Sequence, residues 1–175
     1  MDIVPVIDIP SKEDVEPIIC ESDGWVSSHY GHAPYTRLFS VFQEMQAVCS
    51  RRTGVGISAV QVGLPLPIFI AMIDKSWRYF LNCEYKPLES ASEQISLEGC
   101  LSLTKLDGSM RRFHVLRWNK VLVTGQEFSF SNASVTDFAE EFKNFNAVVM
   151  QHEIDHQNDI LISDIGKEVD VKRVI

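Results

Sequence analysis

The chain is 175 residues long, enough for one domain with a real core, and it is 45% hydrophobic and 23% charged, so it is neither disordered nor fibrous in composition. A formal net charge of −8 argues against binding through the phosphate backbone, which requires a basic face, and no direct nucleic-acid binding is expected. No apolar run reaches the length of a membrane span, and the opening MDIVPVIDIPSKEDVEP is acidic where a signal peptide is basic. The expectation is a cytoplasmic protein in which Cys20, Cys49, Cys83 and Cys100 are free thiols, since no CxxC pair is present.

Taken in chain order, residues 1–34 read as an irregular N-terminal segment punctuated by Pro5, Pro10, Pro17, Gly24, Gly31 and Pro34. From Thr36 to Cys49, Leu38, Phe42, Met45 and Cys49 follow helical spacing and predict a helix with one apolar face. The stretch TGVGISAVQVGLPLPIFIAMI, 53–73, reads as loop, short strand, turn and a buried strand over Ile68–Ile73. RYFLN, 78–82, is a further strand, followed by a polar stretch to Gln94. RRFHVLRW, KVLVTG, EFSFSN and ASVTDFAEEF read as short strands with turn residues between them. NAVVMQHEIDHQ, 146–157, switches to helical period, with Val148 and Val149 turned inward, and ILISD, 160–164, reads as one more strand. Residues 166–175 are a short C-terminal tail. The predicted class is α+β: mostly antiparallel β-sheets packed around a central metal-binding helix, in a single domain over 1–175.

That helix carries HExxH as His152-Glu153-Ile154-Asp155-His156. Four-residue spacing puts both imidazoles on one helix face, where two nitrogens can hold one ion while Glu153 handles protons. The identity of the third ligand decides the chemistry. A long HExxHxxGxxH site needs Gly and His where Asp159 and Ile162 stand, so it is excluded. A carboxylate from a downstream helix has only Glu168, in the charged tail, to supply it. Upstream, SLEGCLSL offers Cys100, a soft ligand for Zn²⁺ or Fe²⁺ preceded by Gly99; read alone, it is more readily a buried structural cysteine than a ligand. Asp155 reads as a residue that orients a ligand or as a solvated helix-face acid. His29, His32 and His114 match no ligand spacing and read as surface or loop histidines.

Three motifs in order, Gly54-Val55-Gly56-Ile57-Ser58-Ala59-Val60-Gln61, Glu98-Gly99-Cys100-Leu101-Ser102 and Gln151-His152-Glu153-Ile154-Asp155-His156, resemble those of the peptide deformylases over roughly residues 36–165. The sequence departs from that pattern at Ser58, Val60, Thr104, Gln157 and Asp159. The resemblance implies a metal-dependent hydrolase that removes the N-formyl group from N-formylmethionyl peptides. It implies Cys100, His152 and His156 as metal ligands and Glu153 as general base. The Gln61 side chain and the Leu101 backbone N–H are then set beside the developing oxyanion. It further implies backbone contacts to the substrate from Val55, Gly56 and Gly99, and a methionine pocket involving Ile57, Val148 and Phe145. Fe²⁺ is the implied ion in the cell, with Zn²⁺, Ni²⁺ or Co²⁺ as alternatives. The implied partners are the formylmethionyl peptide and, transiently, the ribosome, with no membrane partner and a monomeric enzyme. Two readings compete: an HExxH endopeptidase, which needs a carboxylate or His as third ligand, and a non-catalytic metal-stapled binding module.

Overall fold

A computed structural model of the chain describes residues 19–20, 25–27 and 33–170, with side chains from residue 38. His29, His32 and residues 171–175 therefore lie outside the described residues. Three short strands, β1 (Ile19–Cys20), β2 (Trp25–Ser27) and β3 (Ala33–Pro34), pair antiparallel within the segment expected to be irregular. Strands of two or three residues carry too little period-2 signal to be read from sequence.

Helix α1 (Tyr35–Arg51) follows the predicted apolar stripe: Leu38, Phe42, Met45 and Cys49 are all buried. Beyond it the chain turns at Thr53, whose φ is 55°, and the Gly54 N–H returns to the Cys49 carbonyl at 2.9 Å. A five-stranded sheet comes next, built of β4 (Gly56–Ser58), β5 (Ile68–Ile73), β6 (Ser76–Pro87), β9 (Lys120–Ser129) and β10 (Ser134–Lys143) in the order β10-β9-β6-β5-β4. Every pairing in it is antiparallel.

The IFIAMI run of β5 is apolar throughout because both faces of that strand are covered. Ile68 and Ile70 pack with Phe42, Leu81 and Phe128 beneath α1. Phe69, Ala71 and Ile73 pack with Phe80, Val123 and Phe142 beneath helix α2 (Asn144–His156). Each large side chain fully buried here contributes about 1.5–3 kcal/mol of transfer free energy. The core holds α2 against the sheet by Ala147, Val149, Met150 and Ile154, which leaves the opposite side of the helix to face a second sheet.

This second sheet consists of β7 (Glu93–Glu98), β8 (Arg112–Trp118) and β11 (Lys167–Val169), ordered β11-β8-β7 and again antiparallel. Mostly antiparallel sheets with a few helices are therefore the architecture, as the α+β expectation has it.

Several boundaries differ from the sequence reading. KVLVTG and EFSFSN form one strand, β9, because Gly125 lies opposite a bulge in β6 between Leu81 and Glu84, where a Cβ would stand 2.6 Å from the Cys83 sulfur. The stretch ending at Gln94 already contains the start of β7. ILISD is not a strand: Ile162–Ile165 is a single helical turn, α3, started by the Asp164 carboxylate accepting the Leu161 N–H at 2.8 Å. The strand in that region is β11, formed by the supposed tail, with Glu168 paired to Arg111 at 2.6 Å. No helix among the described residues is long and apolar enough to cross a membrane.

Candidate functional site

Helical spacing on α2 sets the His152 and His156 rings 4.9 Å apart between centroids. β7 ends at Glu98, and the chain turns at once, the Leu103 N–H closing on the Cys100 carbonyl at 3.0 Å. This turn delivers the Cys100 thiol to the α2 face. One ligand atom from each of Cys100, His152 and His156 lies within 4.8 Å of the others. The Cys100 Sγ to His156 Nε2 separation is 3.4 Å. Ordinary Zn–S and Zn–N bonds at a tetrahedral angle would separate two such ligands by about 3.6 Å, so the pair fits a shared ion.

The surroundings fit one as well. His152 Nδ1 lies 2.9 Å from the Glu98 carboxylate, which leaves Nε2 for a metal in the carboxylate–histidine–metal pattern. Oε2 of the buried Glu153, the residue next to His152, has no hydrogen-bond partner among the described residues. Cys49, Cys83 and Cys100 are free, buried thiols. Glu168, the alternative downstream carboxylate, is tied to Arg111 on the second sheet and is absent from the cluster.

The Glu98 carboxylate also accepts from Arg117 Nε at 2.8 Å and Nη2 at 3.0 Å. Arg117 Nη1 donates to Asp155, and the Tyr85 hydroxyl donates to the other Asp155 oxygen at 3.2 Å. The side chains of Glu98, Arg117 and Asp155 are 5%, 2% and 7% exposed, so these charges exist only because they are paired. Burial alone would raise Glu98, but His152 and Arg117 hold it below the ordinary value. Burial likewise works against charge on Arg117, and the Glu98 and Asp155 carboxylates more than offset it. For Asp155 burial prevails over Arg117 and the pKa rises.

Burial opposes a charge on both imidazoles. His156 is left well below its ordinary value, whereas the Cys100 and Glu98 side chains hold His152 up to about 10. A metal ion at this site would therefore displace a proton from His152. Burial also raises Glu153 to about 7.

A cleft of about 280 Å³ reaches this cluster at His152 and Glu153. Val55, Gly56, Gln61, Gly99, Leu101, Phe145, Val148, His152 and Glu153 all line it. Phe145 is 61% exposed at the mouth, and Val148 is buried deeper. Ile57 alone of the expected pocket residues lies elsewhere, 1% exposed in the core beneath α1. Gly56 cannot carry a side chain, because a Cβ would run into the Glu153 carboxylate. Gln61 Oε1 accepts the Ser58 N–H at 2.8 Å, which turns Nε2 towards Cys100 Sγ at 3.3 Å and Ser102 Oγ at 3.0 Å. The amide nitrogen therefore faces the cluster by construction, and the amide oxygen does not.

Asp155 belongs to the buried network rather than to a solvated helix face, and His114 is exposed as expected. Sequence reasoning missed Arg117 and Tyr85. The signal for Arg117 was a charged residue at the inward position of the alternating strand Phe113-His114-Val115-Leu116-Arg117.

The polypeptide deformylase family model matches residues 26–171. Peptide deformylase 1 of Nitrosomonas europaea is 31% identical over 144 residues, covering 74% of this chain and 76% of that protein. The peptide deformylase of Syntrophomonas wolfei is 31% identical over 139 residues, covering 77% and 80%. Among solved structures, the class I type b peptide deformylase from Acinetobacter baumannii bound to Met-Ala-Ser superposes with a TM-score of 0.68 at 22% identity over 91% of each chain. The Thermotoga maritima enzyme gives 0.67 at 22% identity over 92% and 90%. The two structures share the fold; the family model and the 31% relatives carry the assignment further. This chain belongs to the polypeptide deformylase family, metal-dependent hydrolases that remove the N-formyl group from nascent peptides.

Proposed function

We propose that the chain deformylates N-formylmethionyl peptides with one divalent ion held by Cys100, His152 and His156, making α2 the central, metal-bearing HExxH helix. The observation that carries this reading is the convergence of those three ligand atoms, with His152 and the unpartnered acid Glu153 both lining one cleft. When bound, such an ion polarises the formyl carbonyl and lowers the pKa of water, supplying a nucleophile near neutral pH. Glu153, adjacent to a ligand but outside the ligand set, takes the water proton and returns it to the leaving amine. The Gln61 amide nitrogen, fixed by Ser58, and the Leu101 backbone N–H donate to the developing oxyanion; losing one such donor costs about a hundredfold in rate.

The extended substrate is held by the backbones of Val55, Gly56 and Gly99, with Val148 and Phe145 as walls for the methionine side chain. Ile57 would support the pocket only through the core behind it. Fe²⁺ is the proposed ion in the cell, and Zn²⁺, Ni²⁺ or Co²⁺ suit the same thiolate–imidazole set. The enzyme is proposed to act as a cytoplasmic monomer, a single domain over 1–175, meeting nascent chains through transient contact with the ribosome.

The test is formate release from formyl-Met-Ala-Ser by protein prepared anaerobically and loaded with Fe²⁺. Turnover that vanishes in Glu153→Ala, with metal content retained, is expected. Absence of turnover from protein shown to carry stoichiometric metal would overturn the reading.

A further inference from the structure

The charged side chains lining the cleft are Glu98, Arg112, His152 and Glu153. Glu98 is committed to Arg117 and His152, and Glu153 is buried on α2. Arg112 is different: it is exposed, and it makes no ion pair or hydrogen bond among the described residues. The nearby acids are engaged with other cations, Glu168 with Arg111 at 2.6 Å and Asp170 with Lys105 at 2.9 Å, and the residue opposite Arg112 on β11 is Val169. The guanidinium lies over Gly99, where a Cβ would stand 2.7 Å from Nη1. An acidic protein of net charge −8 thus keeps, among its described residues, a cation without a paired carboxylate in the lining of its cleft, beside the turn that carries Cys100.

Building on the deformylase reading, we propose that Arg112 is a specificity-determining residue that favours formylmethionyl peptides bearing an acidic side chain in the second or third position. A guanidinium presents a planar fork matched to a carboxylate, which an amide or alkyl side chain cannot satisfy in the same way. An extended chain advances about 3.3 Å per residue and alternates its side chains. A cation over Gly99, one residue from Cys100, is therefore met by the residues next after the methionine rather than by the distal chain. Among the described residues no carboxylate pairs with Arg112, which leaves that place to the substrate. An exposed pair of this kind is worth about a twofold to fivefold difference.

The experiment compares kcat/KM for formate release from formyl-Met-Ala-Xaa-Ser amides with Asp, Asn or Lys at Xaa, and from the matching formyl-Met-Xaa-Ala-Ser set. Amidated C-termini keep a terminal carboxylate from taking the same place. The Fe²⁺-loaded wild type is expected to prefer Asp over Lys about fivefold in at least one set, chiefly through KM, and the ratio should fall towards one at about 0.5 M salt. In Arg112→Gln the ratio should approach one, and in Arg112→Glu it should reverse in favour of Lys; reversal is a gain that a damaged fold cannot supply. Because each ratio is taken within one variant, a general loss of activity divides out. Turnover of the Asn peptides with equal use of Asp and Lys by the wild type, or an Asp preference that survives Arg112→Gln, overturns the proposal while leaving deformylation intact. No turnover of any peptide overturns the parent reading and this one with it.

Discussion

Two arginines in this molecule each hold two carboxylates, and they do so in opposite settings. Arg117 binds Glu98 and Asp155 with its side chain 2% exposed, between the second sheet and α2. Arg78, 21% exposed, binds Glu127 at 2.7 Å and Glu140 at 2.8 Å across β6, β9 and β10, and lies over the rings of Phe80 and Phe142 at 5.1 and 5.6 Å. The partners and geometries are alike; the solvent is not. Where water is excluded, a charge is tolerated only with its partner in place, so the group becomes a device for fixing orientation rather than a source of net stability. At the edge of water the same arrangement is a clamp of small worth. The buried one stands behind His152 through Glu98, and the half-open one contributes no residue to the cleft.

The sharpest way to break that contrast is Arg117→Met. It strands Glu98 and Asp155 in a dry site, where removing one member of a buried pair costs about 3–5 kcal/mol. His152 still holds Glu98 and Tyr85 still holds Asp155, which places the expected loss towards the lower end. For a chain of this size the melting temperature should fall by about 10 °C, and metal content after dialysis should drop with it. A loss below about 1 kcal/mol in chemical denaturation would mean that the buried cluster is no more sensitive than an exposed one.

Glu98→Gln is the milder probe of the same group. The amide keeps the shape of the carboxylate and can still accept from Arg117, but it offers His152 Nδ1 a weaker partner. Losing such a partner behind a metal-bound histidine commonly costs 10–100-fold in affinity, so competition with a chelator should show a shift of about that size with a smaller change in melting temperature. Unchanged affinity would remove Glu98 from the role of orienting His152.

The legible and illegible parts of the sequence divide along similar lines. His152 and His156 announce themselves by helical spacing, and α1 and β5 by apolar pattern, because burying one face of a regular element imposes a period. β7 hides because its alternation runs backwards: Ile95 and Leu97 point out, 71% and 52% exposed, while Gln94, Ser96 and Glu98 occupy the inward positions. An inward polar row reads as a loop until the cation that justifies it is known, and Arg117, 19 residues away along the chain, has no local mark beyond its place in β8. ILISD misleads for the reverse reason. Its apolar residues suit a strand, and one carboxylate, Asp164, tips the backbone into a helical turn by capping Leu161.

Arg78→Met tests the other half of the contrast and has the smallest expected effect. With the guanidinium gone, Glu127 and Glu140, 28% and 45% exposed, remain in reach of water, so no stranded charge has to be carried. What is lost is a partly screened ion pair and the guanidinium's place over Phe80 and Phe142, while the methionine chain keeps much of the packing on those rings. Together these amount to about 1 kcal/mol, a fall in melting temperature of about 2–4 °C. Added salt should narrow the gap between wild type and variant, since the ion-pair part is screened and the packing part is not. Formate release should be unaffected because no residue of this cluster lines the cleft. A destabilisation as large as that of Arg117→Met, insensitive to salt, would mean that burial is not what separates the two arginines, and that the bridging of three strands by Arg78 contributes as much as desolvation does behind His152.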